Sequence, residues 1–366
     1  MNQKLLVINP GSTSTRIAVY SGLEPEFLEV IAHSSAALSI YQEVFDQYEF
    51  RKNLIYYVLK EKGVDLREIV AVVGRGGLCK PIPSGVYEVN EQMLQDLRTS
   101  AFGKHVSSLS GLIAHEIAKE LGVKAYIVDP VVVNEFEPLA YYSGWPEIRR
   151  KSLFHALNQK AAARKAAESL GRDYRELRLI VAHLGGGITI GVHKYGRVVD
   201  VNNGLEEGPF APERSGSLPI GDLIRLCFSG KYSKDSMIKT MAGKGGLVAY
   251  LGTNNGREVE QRISAGDAQA AEVFEAMAYQ VAKEIGADAT VLNGQVDAIV
   301  LTGGLAYSER FVEWLKQRVG FIAPIIVLPG EFEMEALASG AWRVLTGREE
   351  AKIYAPTEDW SHYVGF

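Results

Sequence analysis

Cysteine is scarce in this sequence, which holds only Cys79 and Cys227 among its 366 residues. Two thiols exclude a disulfide framework and a zinc site built from cysteines, and so low a content is typical of a reducing compartment. Long hydrophobic runs are also missing, because no stretch reaches the about 18 to 20 apolar residues of a membrane-spanning helix. The short apolar run at the N-terminus predicts a first strand rather than a signal peptide, so we expect a cytoplasmic protein.

The sequence also lacks an excess of positive charge. Lysine and arginine number 39 against 44 acidic residues, which gives a formal net charge of -5 and a pI near 5.9. That balance, without a basic stripe, argues against nucleic acid and anionic membranes as partners. The composition is otherwise typical of a globular protein, with 47% hydrophobic residues. A chain of this length exceeds the size at which one core stops growing, so two domains are expected.

Short apolar segments alternate with longer helical patterns along the chain. Strands are predicted at residues 5–8, 17–20, 28–32, 69–73, 125–128, 179–182, 189–193, 197–201, 298–302 and 325–328. Helices are predicted at residues 44–62, 109–121, 151–170, 268–289, 309–318 and 335–345. This order favours α/β or α+β layers with a mixed sheet.

A faint internal repeat connects the two halves of the chain. Residues 7–22 (VINPGSTSTRIAVYSG) align without a gap over residues 181–196 (VAHLGGGITIGVHKYG). Each segment has an apolar strand, a turn of small residues and a second strand that ends in a glycine. Two unrelated hairpins are the alternative explanation. The repeat predicts a duplicated unit, one copy in each half.

Three turns rich in small residues come directly after apolar strands. The first, NPGSTSTR at residues 9–16, offers hydroxyls and turn amides to phosphate oxygens, although it also suits an ordinary polar hairpin. The second has three consecutive glycines at 185–187, which lets a backbone approach a polyphosphate or make a sharp bulge. The third carries Gly303 and Gly304 before a helix, where an open sheet leaves a crevice for a nucleotide.

The three turns together predict a nucleotide cleft between two related domains. The sequence contains no GxxxxGK[ST] motif, and no GxGxxG lies between a strand and a helix, so neither a P-loop nor a dinucleotide fold is indicated. We expect one domain at residues 1–145 and the second at residues 146–339. The segment 340–366 is expected to return to the first domain.

Three stretches resemble the acetate and butyrate kinase family: VINPGSTS, IVAHLGGGITIGVHKYG and LTGGLAYSERF. The resemblance covers essentially the whole chain. Within the family, GRGGLCKPIPSGVY, FHALNQKAAAR and APERSGSLPIGDL are most similar to the butyrate and branched-chain fatty-acid kinases. It implies two duplicated RNase H-like domains, the fold of sugar kinases, Hsp70 and actin. It also implies a Mg²⁺-dependent kinase that transfers phosphate from ATP to the carboxylate of a short-chain acid such as butyrate, yielding butyryl phosphate and ADP.

The resemblance assigns the catalytic positions. Arg214 matches the arginine that faces the carboxylate and the migrating phosphoryl group, a task that suits a planar guanidinium. His155 matches the histidine that donates to the phosphoryl group in the transition state. Asp129 matches a carboxylate near magnesium. Glu335 matches the glutamate tied to magnesium, and Glu333 is an open alternative.

It assigns the binding positions as well. Asn9, Ser12 and Ser14 match the phosphate contacts of the first turn, with Asn9 also counted among the catalytic residues. His183 and His105 match two histidines of the cleft, the second in a structural role. Further nucleotide contacts are expected at Gly185, Gly186, Gly187, Asn255, Arg257, Gly303 and Gly304.

Three departures from acetate kinases stand out. The arginine before the glycine pair has moved to Arg75, which we expect to contact the acid from a new direction. Gly74 then replaces a valine of the acyl pocket. Because glycine lacks that side chain, we expect room for about two more methylenes and a preference of the enzyme for butyrate over acetate. Gly186 replaces an asparagine that contacts phosphate. Asn255 replaces an aspartate of the adenosine site, where its neutral side chain is expected to bind ribose.

Two other classes of protein remain as alternatives. An ATP-binding conformational protein of the actin or Hsp70 type is disfavoured, because no substrate-binding segment is expected beyond Phe366. A sugar-kinase-like regulator is disfavoured because no DNA-binding pattern precedes the first strand. Acetate, propionate and branched acids stay open as substrates, as does the direction of the reaction. Trp342 and Trp360 are candidates for an apolar surface in a homodimer or a higher homo-oligomer.

Overall fold

The computed structural model describes residues 3–41, 43–103 and 105–355. The strands are β1 (Lys4–Pro10), β2 (Ser14–Ser21), β3 (Glu24–Ala32), β4 (Ile69–Gly74), β5 (Val86–Glu88), β6 (Lys124–Val128), β7 (Tyr142–Trp145), β8 (Ile148–Arg149), β9 (Arg178–Leu184), β10 (Ile188–Lys194), β11 (Arg197–Val201), β12 (Ala298–Gly303), β13 (Ile325–Pro329) and β14 (Lys352–Ile353). The helices are α1 (Ser35–Ser39), α2 (Tyr48–Glu61), α3 (Glu91–Thr99), α4 (Ser108–Leu121), α5 (Ala156–Ser169), α6 (Ile220–Cys227), α7 (Lys234–Met241), α8 (Gly246–Leu251), α9 (Gly256–Ser264), α10 (Ala268–Val291), α11 (Glu309–Val319) and α12 (Glu333–Leu345).

The chain divides into two compact units. The first contains the residues up to Asn134 together with those from Phe332 onward, and the second is Glu135–Glu331. Residues 135–145, expected with the first domain, therefore pack in the second unit. Residues 332–339, expected in the second domain, pack in the first, because α12 begins two residues earlier than its pattern indicates and contacts β1 and β6.

The first unit is built on a mixed sheet with the strand order β14-β5-β6-β4-β1-β2-β3. Strands β1, β2 and β3 pair antiparallel, whereas β4 runs parallel to β1, and β6 runs parallel to β4. Leu5–Ile8 of β1 is buried on every residue, as expected for a central strand covered on both faces. Helix α4 packs on β4 and β6.

The second unit repeats this arrangement with the order β11-β10-β9-β12-β13. Again three antiparallel strands are followed by two parallel ones. Helix α10 supplies much of the core through Phe274, Met277, Val281 and Ile285, which share one face at helical spacing. The predicted α/β class and the duplication are confirmed, because the second sheet repeats the order of five strands of the first, β3-β2-β1-β4-β6.

The gapless form of the repeat is wrong by one residue. In the first hairpin Pro10 pairs with Thr15 and leaves four residues in the turn. In the second hairpin Leu184 pairs with Ile188 and leaves three. A gapless alignment therefore superposes only one strand of each pair.

The predicted strands and four of the six predicted helices lie within the observed elements. The helix predicted at 44–62 begins with a separate 3₁₀ turn at Val44–Gln47 before α2, and the helix predicted at 151–170 starts too early. Residues 151–155 precede α5, and His155 is the residue at its N-terminal cap. The sequence patterns missed the short elements, which are β5, β7, β8, β14, α1, α3 and α6–α9. Among the described residues, none of the helices has the length and apolar content needed to cross a membrane.

Candidate active site

The first turn lies between β1 and β2 in the first unit. Gly11 N donates to the carbonyl oxygen of Ser14 at 2.8 Å, while Ser12 is exposed and Ser14 half-buried. A Cβ on Gly11 would meet only Ser14 atoms at 3.6 Å, which is ordinary van der Waals contact. The chain itself therefore leaves space beside Gly11, as a backbone that approaches a ligand requires.

A buried arginine, Arg51, donates hydrogen bonds to residues of this turn and of the strand that follows it. Arg51 Nη1 donates to Thr15 Oγ1 at 2.8 Å and to the Ser14 carbonyl at 3.1 Å, and its Nε donates to Gln47 at 3.0 Å. Burial lowers the pKa of the Arg51 guanidinium to about 10. Arg51 is not among the residues predicted from the sequence. The available signal was a charged residue on the apolar face of α2, in line with Ile55 and Leu59.

The carboxylate of Glu333, in the first turn of α12, contacts two arginine side chains and one amide side chain. Asn9 Nδ2 donates to its Oε2 at 2.8 Å, Arg75 Nη2 lies 2.9 Å from its Oε1, and Arg16 Nη1 lies 3.8 Å from its Oε2. Because a carboxylate only accepts, the Asn9 amide nitrogen must face Glu333, which leaves its buried Oδ1 without a partner. Arg75 Nε is likewise buried without one. Glu335, by contrast, is exposed.

Asp129 follows β6 in a conformation that is uncommon for residues other than glycine, with φ at 39°. Its buried carboxylate oxygen Oδ1 accepts from Ser84 Oγ at 2.6 Å and from Gly85 N at 2.8 Å. These bonds hold the carboxylate in one orientation at the carboxyl end of β6.

Gly74 does not enlarge an acyl pocket. A Cβ at this position would lie 2.7 Å from the carbonyl oxygen of Ser110, on the backbone of α4. Glycine is therefore required for the close packing of α4 on β4. The prediction that its missing side chain makes room for a longer acid is wrong.

Two of the predicted site residues, both histidines, lie side by side in the second unit. The rings of His155 and His183 stack with centroids 3.8 Å apart and planes 12° from parallel. His155 Nδ1 lies 2.9 Å from Thr189 Oγ1, and His183 Nδ1 lies 2.8 Å from Asn158 Nδ2. The first bond holds the ring at the start of α5, and the second holds His183 within β9.

The three consecutive glycines lie against neighbouring side chains, and two of them leave space that a Cβ would fill. A Cβ on Gly187 would lie 2.2 Å from Arg214 Cζ, and a Cβ on Gly185 would lie 2.8 Å from His183 Nε2. Arg214 thus packs over the turn, where its Nη1 donates to the carbonyl of Gly204 at 2.6 Å. Burial lowers the pKa of Arg214, and the opposing effect of Glu213 is smaller. Gly186 meets only the Glu213 carboxylate at 3.6 Å and is the most open of the three.

Some of the remaining predicted nucleotide contacts have free space beside them, whereas others have a structural role in packing or in helix capping. A Cβ on Gly304 would meet no described atom within 4 Å, whereas a Cβ on Gly303, whose φ is 91°, would lie 2.5 Å from the carbonyl oxygen of Leu184. Asn255 caps α9, because its Oδ1 accepts from Arg257 N at 3.0 Å and from Glu258 N at 3.4 Å. The side chain of Arg257 is exposed.

The oxygen donors of the first unit fit magnesium in part. Mg²⁺ prefers oxygen ligands and is usually bound by one or two carboxylates together with waters and phosphates. Asp129, Glu333 and the unpartnered Asn9 Oδ1 supply such oxygens. No cluster of three or more His, Cys, Asp or Glu side chains suited to a metal occurs in the described ranges. These oxygens therefore suit a cation that phosphate oxygens and waters help to bind, and not a site made of protein ligands alone.

The fold is shared with carboxylate kinases of known structure. A crystal structure of Porphyromonas gingivalis acetate kinase matches with a TM-score of 0.75 and 21% identity, covering 93% of this chain and 99% of that one. A propionate kinase from Francisella tularensis matches with a TM-score of 0.73 and 19% identity over the same shares of the two chains. At this identity the likeness establishes the fold.

Sequence comparison narrows the class to one family. The model of the acetokinase family matches residues 138–319. Butyrate kinase 2 of Clostridium acetobutylicum is 55% identical over 355 residues, which are 97% of this chain and 100% of that protein. This chain belongs to the acetokinase family, and the resemblance indicated by its motifs is confirmed.

Proposed function

We propose that this protein phosphorylates the carboxylate of a short-chain fatty acid, with butyrate as the first candidate, using ATP and releasing ADP. The observation that carries the proposal is the 55% identity to butyrate kinase 2 along the whole of that protein. The site chemistry is consistent with it. Arg214 and two histidines lie beside a glycine turn in one unit, in which Gly186 is open, and a turn rich in hydroxyls lies in the other.

The two units divide the work in this proposal. The first unit, through Asn9, Ser12 and Ser14, holds the acid and the phosphoryl group, and the second binds the nucleotide at Gly186 and Gly304. A carboxylate oxygen of the acid attacks the γ-phosphorus in line, and the bond from that phosphorus to the β–γ bridging oxygen breaks. The electron pair of the broken bond stays on ADP. Such a transfer needs positioning and charge neutralisation more than covalent help.

In this proposal Arg214 and His155 neutralise negative charge on the acid and on the transferred phosphoryl group. The guanidinium presents donors in a fixed plane, which suits the oxygens of a carboxylate or a phosphoryl group. An N–H of His155 adds a donor to the same group. Arg75, bound to Glu333, remains a proposed contact of the acid.

Magnesium is proposed as the metal cofactor. Asp129 is one proposed anchor, and Glu333 is preferred over Glu335 as the second. Glu333 is buried beside Asn9, whereas Glu335 faces solvent. When bound, the cation would neutralise negative charge on the nucleotide phosphates.

We also propose a cytoplasmic homo-oligomer. The cysteines are unpaired, with Cys79 buried and Cys227 exposed, as suits a reducing compartment. Helix α6 contains no buried residue, and Ile220, Ile224 and Phe228 on and after it are 73%, 53% and 88% exposed. An apolar surface of this kind suits contact with a second copy.

Two tryptophans were also expected at such a surface. Trp342 is half-buried with its ring beside Gly22, and Trp360 lies outside the described residues. Light scattering of wild type and Phe228→Asp tests the α6 surface. A smaller mass in the variant is expected, and an unchanged mass would count against α6 as the interface.

A hydroxamate assay with ATP and Mg²⁺ across acids of two to six carbons tests the main proposal. We expect acyl hydroxamate with a maximum at butyrate, and a loss of about 100-fold or more in Arg214→Ala. A higher kcat/KM for acetate would reject butyrate as the preferred acid. ADP production that no acid accelerates would instead support an actin-like ATPase, and an active Arg214→Ala enzyme would reject the site.

A further inference from the structure

A buried chain of hydrogen bonds leads from the interior of the second unit to His155. Tyr174 Oη lies 2.7 Å from His193 Nδ1, and His193 Nε2 lies 3.1 Å from Gln159 Oε1. Gln159 Nε2 in turn lies 2.9 Å from Thr189 Oγ1, which lies 2.9 Å from His155 Nδ1. Gln159, Thr189 and His193 are fully buried, so their hydrogen bonds are shielded from bulk solvent.

The direction of this chain is set at Gln159. Its amide nitrogen also lies 2.9 Å from the backbone carbonyl of Thr189, an atom that only accepts. The nitrogen must therefore face Thr189, and Oε1 must face His193. Oε1 only accepts, so His193 carries its proton on Nε2 and accepts from Tyr174 through Nδ1.

The same reasoning continues at Thr189. Its hydroxyl oxygen accepts from Gln159 Nε2 and more weakly from the backbone N–H of His155 at 3.5 Å. These two donors occupy both lone pairs of the oxygen. The hydroxyl proton then has one acceptor within reach, which is His155 Nδ1. A proton on Nδ1 would face that hydroxyl proton and leave it buried and unsatisfied.

We propose that Thr189 and Gln159 are positioning residues that hold His155 as the neutral tautomer with its proton on Nε2. The Nε2–H is then the donor that His155 offers to the phosphoryl group, a step that rests on the proposed function. The tautomer itself is argued from the hydrogen bond at Nδ1 and does not depend on the proposed function.

Two further features favour this arrangement. A Cβ on Gly191 would lie 2.5 Å from Gln159 Oε1, so a glycine on β10 makes room for the amide. Burial, together with Lys160 and Arg164, lowers the pKa of His193 well below its ordinary value, which keeps that ring neutral. A neutral His193 has one N–H and one acceptor nitrogen, as the chain of hydrogen bonds requires.

Nitrogen NMR of ¹⁵N-histidine-labelled enzyme tests the tautomer without any assay of activity. In wild type we expect a pyridine-like Nδ1 and a pyrrole-like Nε2 for His155, assigned by the signals lost in His155→Ala. In Gln159→Glu the new carboxylate accepts the Thr189 proton, so Nδ1 of His155 should become protonated. A pyrrole-like Nδ1 in wild type would overturn the proposal whatever the enzyme catalyses.

Kinetics test the positioning role. Thr189→Val removes the donor at nearly constant shape, and we expect kcat to fall about tenfold with little change in KM for ATP. Thr189→Ser keeps the hydroxyl and should recover most of kcat. Thr290→Val, the same change at an exposed residue of α10, is the matched control.

The outcomes of the two experiments are separable. If Thr189→Val retained full kcat while the NMR result held, the tautomer would stand and the positioning role would be rejected. If wild type formed no acyl phosphate, only the proposed function would fail.

Discussion

His155 and His183 stack face to face, with ring centroids 3.8 Å apart and planes 12° from parallel. They come from different elements, since His155 directly precedes α5 and His183 belongs to β9. Each ring uses Nδ1 to contact a buried polar side chain, Thr189 and Asn158 respectively. The stack brings two imidazoles to the turn that Arg214 covers.

The first prediction concerns the donor in this pair. His155→Ala should lower kcat by about 100-fold, the usual effect of removing one donor to developing charge. The reason is that the phosphoryl oxygens lose an N–H that acts mainly in the transition state. The measurement is acyl hydroxamate formation at saturating ATP and acid. His115→Ala on α4 is the histidine control, and a similar loss there would point to a general defect instead.

The second prediction separates two glutamates of α12. Glu333→Gln should raise the Mg²⁺ concentration needed for half-maximal rate and lower kcat by about tenfold or more, because Arg75 and Asn9 lose their shared carboxylate. Glu335→Gln changes an exposed residue two positions on and should have little effect. Rates across a Mg²⁺ titration give the comparison. The opposite ranking would restore Glu335 as the residue tied to the metal.

The third prediction concerns glycine packing. Gly74→Ala places a methyl group 2.7 Å from the Ser110 carbonyl and should lower the free energy of unfolding by about 1–3 kcal/mol. Gly286→Ala, within α10, meets nothing within 4 Å and should raise it by about 0.5–1 kcal/mol. Urea unfolding of both variants is the measurement. A stable Gly74→Ala enzyme that shifted its preference toward acetate would revive the acyl-pocket explanation.

The fourth prediction is a pH dependence of stability due to His193. Its pKa in the folded protein is well below the ordinary 6.5, because of burial and the nearby Lys160 and Arg164. Below pH 6.5 the unfolded chain therefore binds a proton that the folded chain does not, and stability falls as pH falls. Above that pH the residue adds no slope.

His193→Gln should remove this slope, which amounts to at most about 1.4 kcal/mol per pH unit. Glutamine keeps a donor for Gln159 and an acceptor for Tyr174. Urea unfolding at several values between about pH 5 and pH 8 gives the measurement. Some slope will remain, because burial and Arg51 also lower the pKa of His33. Equal slopes in wild type and variant would show that His193 is not the source.

Most elements were predictable because their residues are buried at regular intervals. The strand 5–8 and the helix 268–289 are examples, in which an apolar run and a period of about 3.6 mark elements that the core requires. Helices α6–α9 were not predicted, since each has at most nine residues and so offers few turns in which to recognise a period. The start of α5 was misplaced because residues 151–155 carry no strong cap signal before His155.

The candidate site was predictable only where a motif marked it. Arg214, His155 and His183 were named from the sequence, but Arg51, Gln159 and Thr189 were not. The roles of these three depend on contacts between distant residues, such as the bond between Gln159 and Thr189, which are 30 positions apart. A polar residue within an apolar face is the only trace that such a contact leaves in the sequence.

Local residue order was enough to define the family, the duplicated strand pattern and the turns. What the glycines and carboxylates do emerged only from the folded chain. Gly74 allows α4 to pack closely on β4 and does not enlarge an acyl pocket. Gly187 leaves space for the side chain of Arg214, and Glu333 forms the ion pair with Arg75. A missing Cβ or a charge acquires meaning only from the atoms that pack against it, and those atoms come from distant parts of the chain.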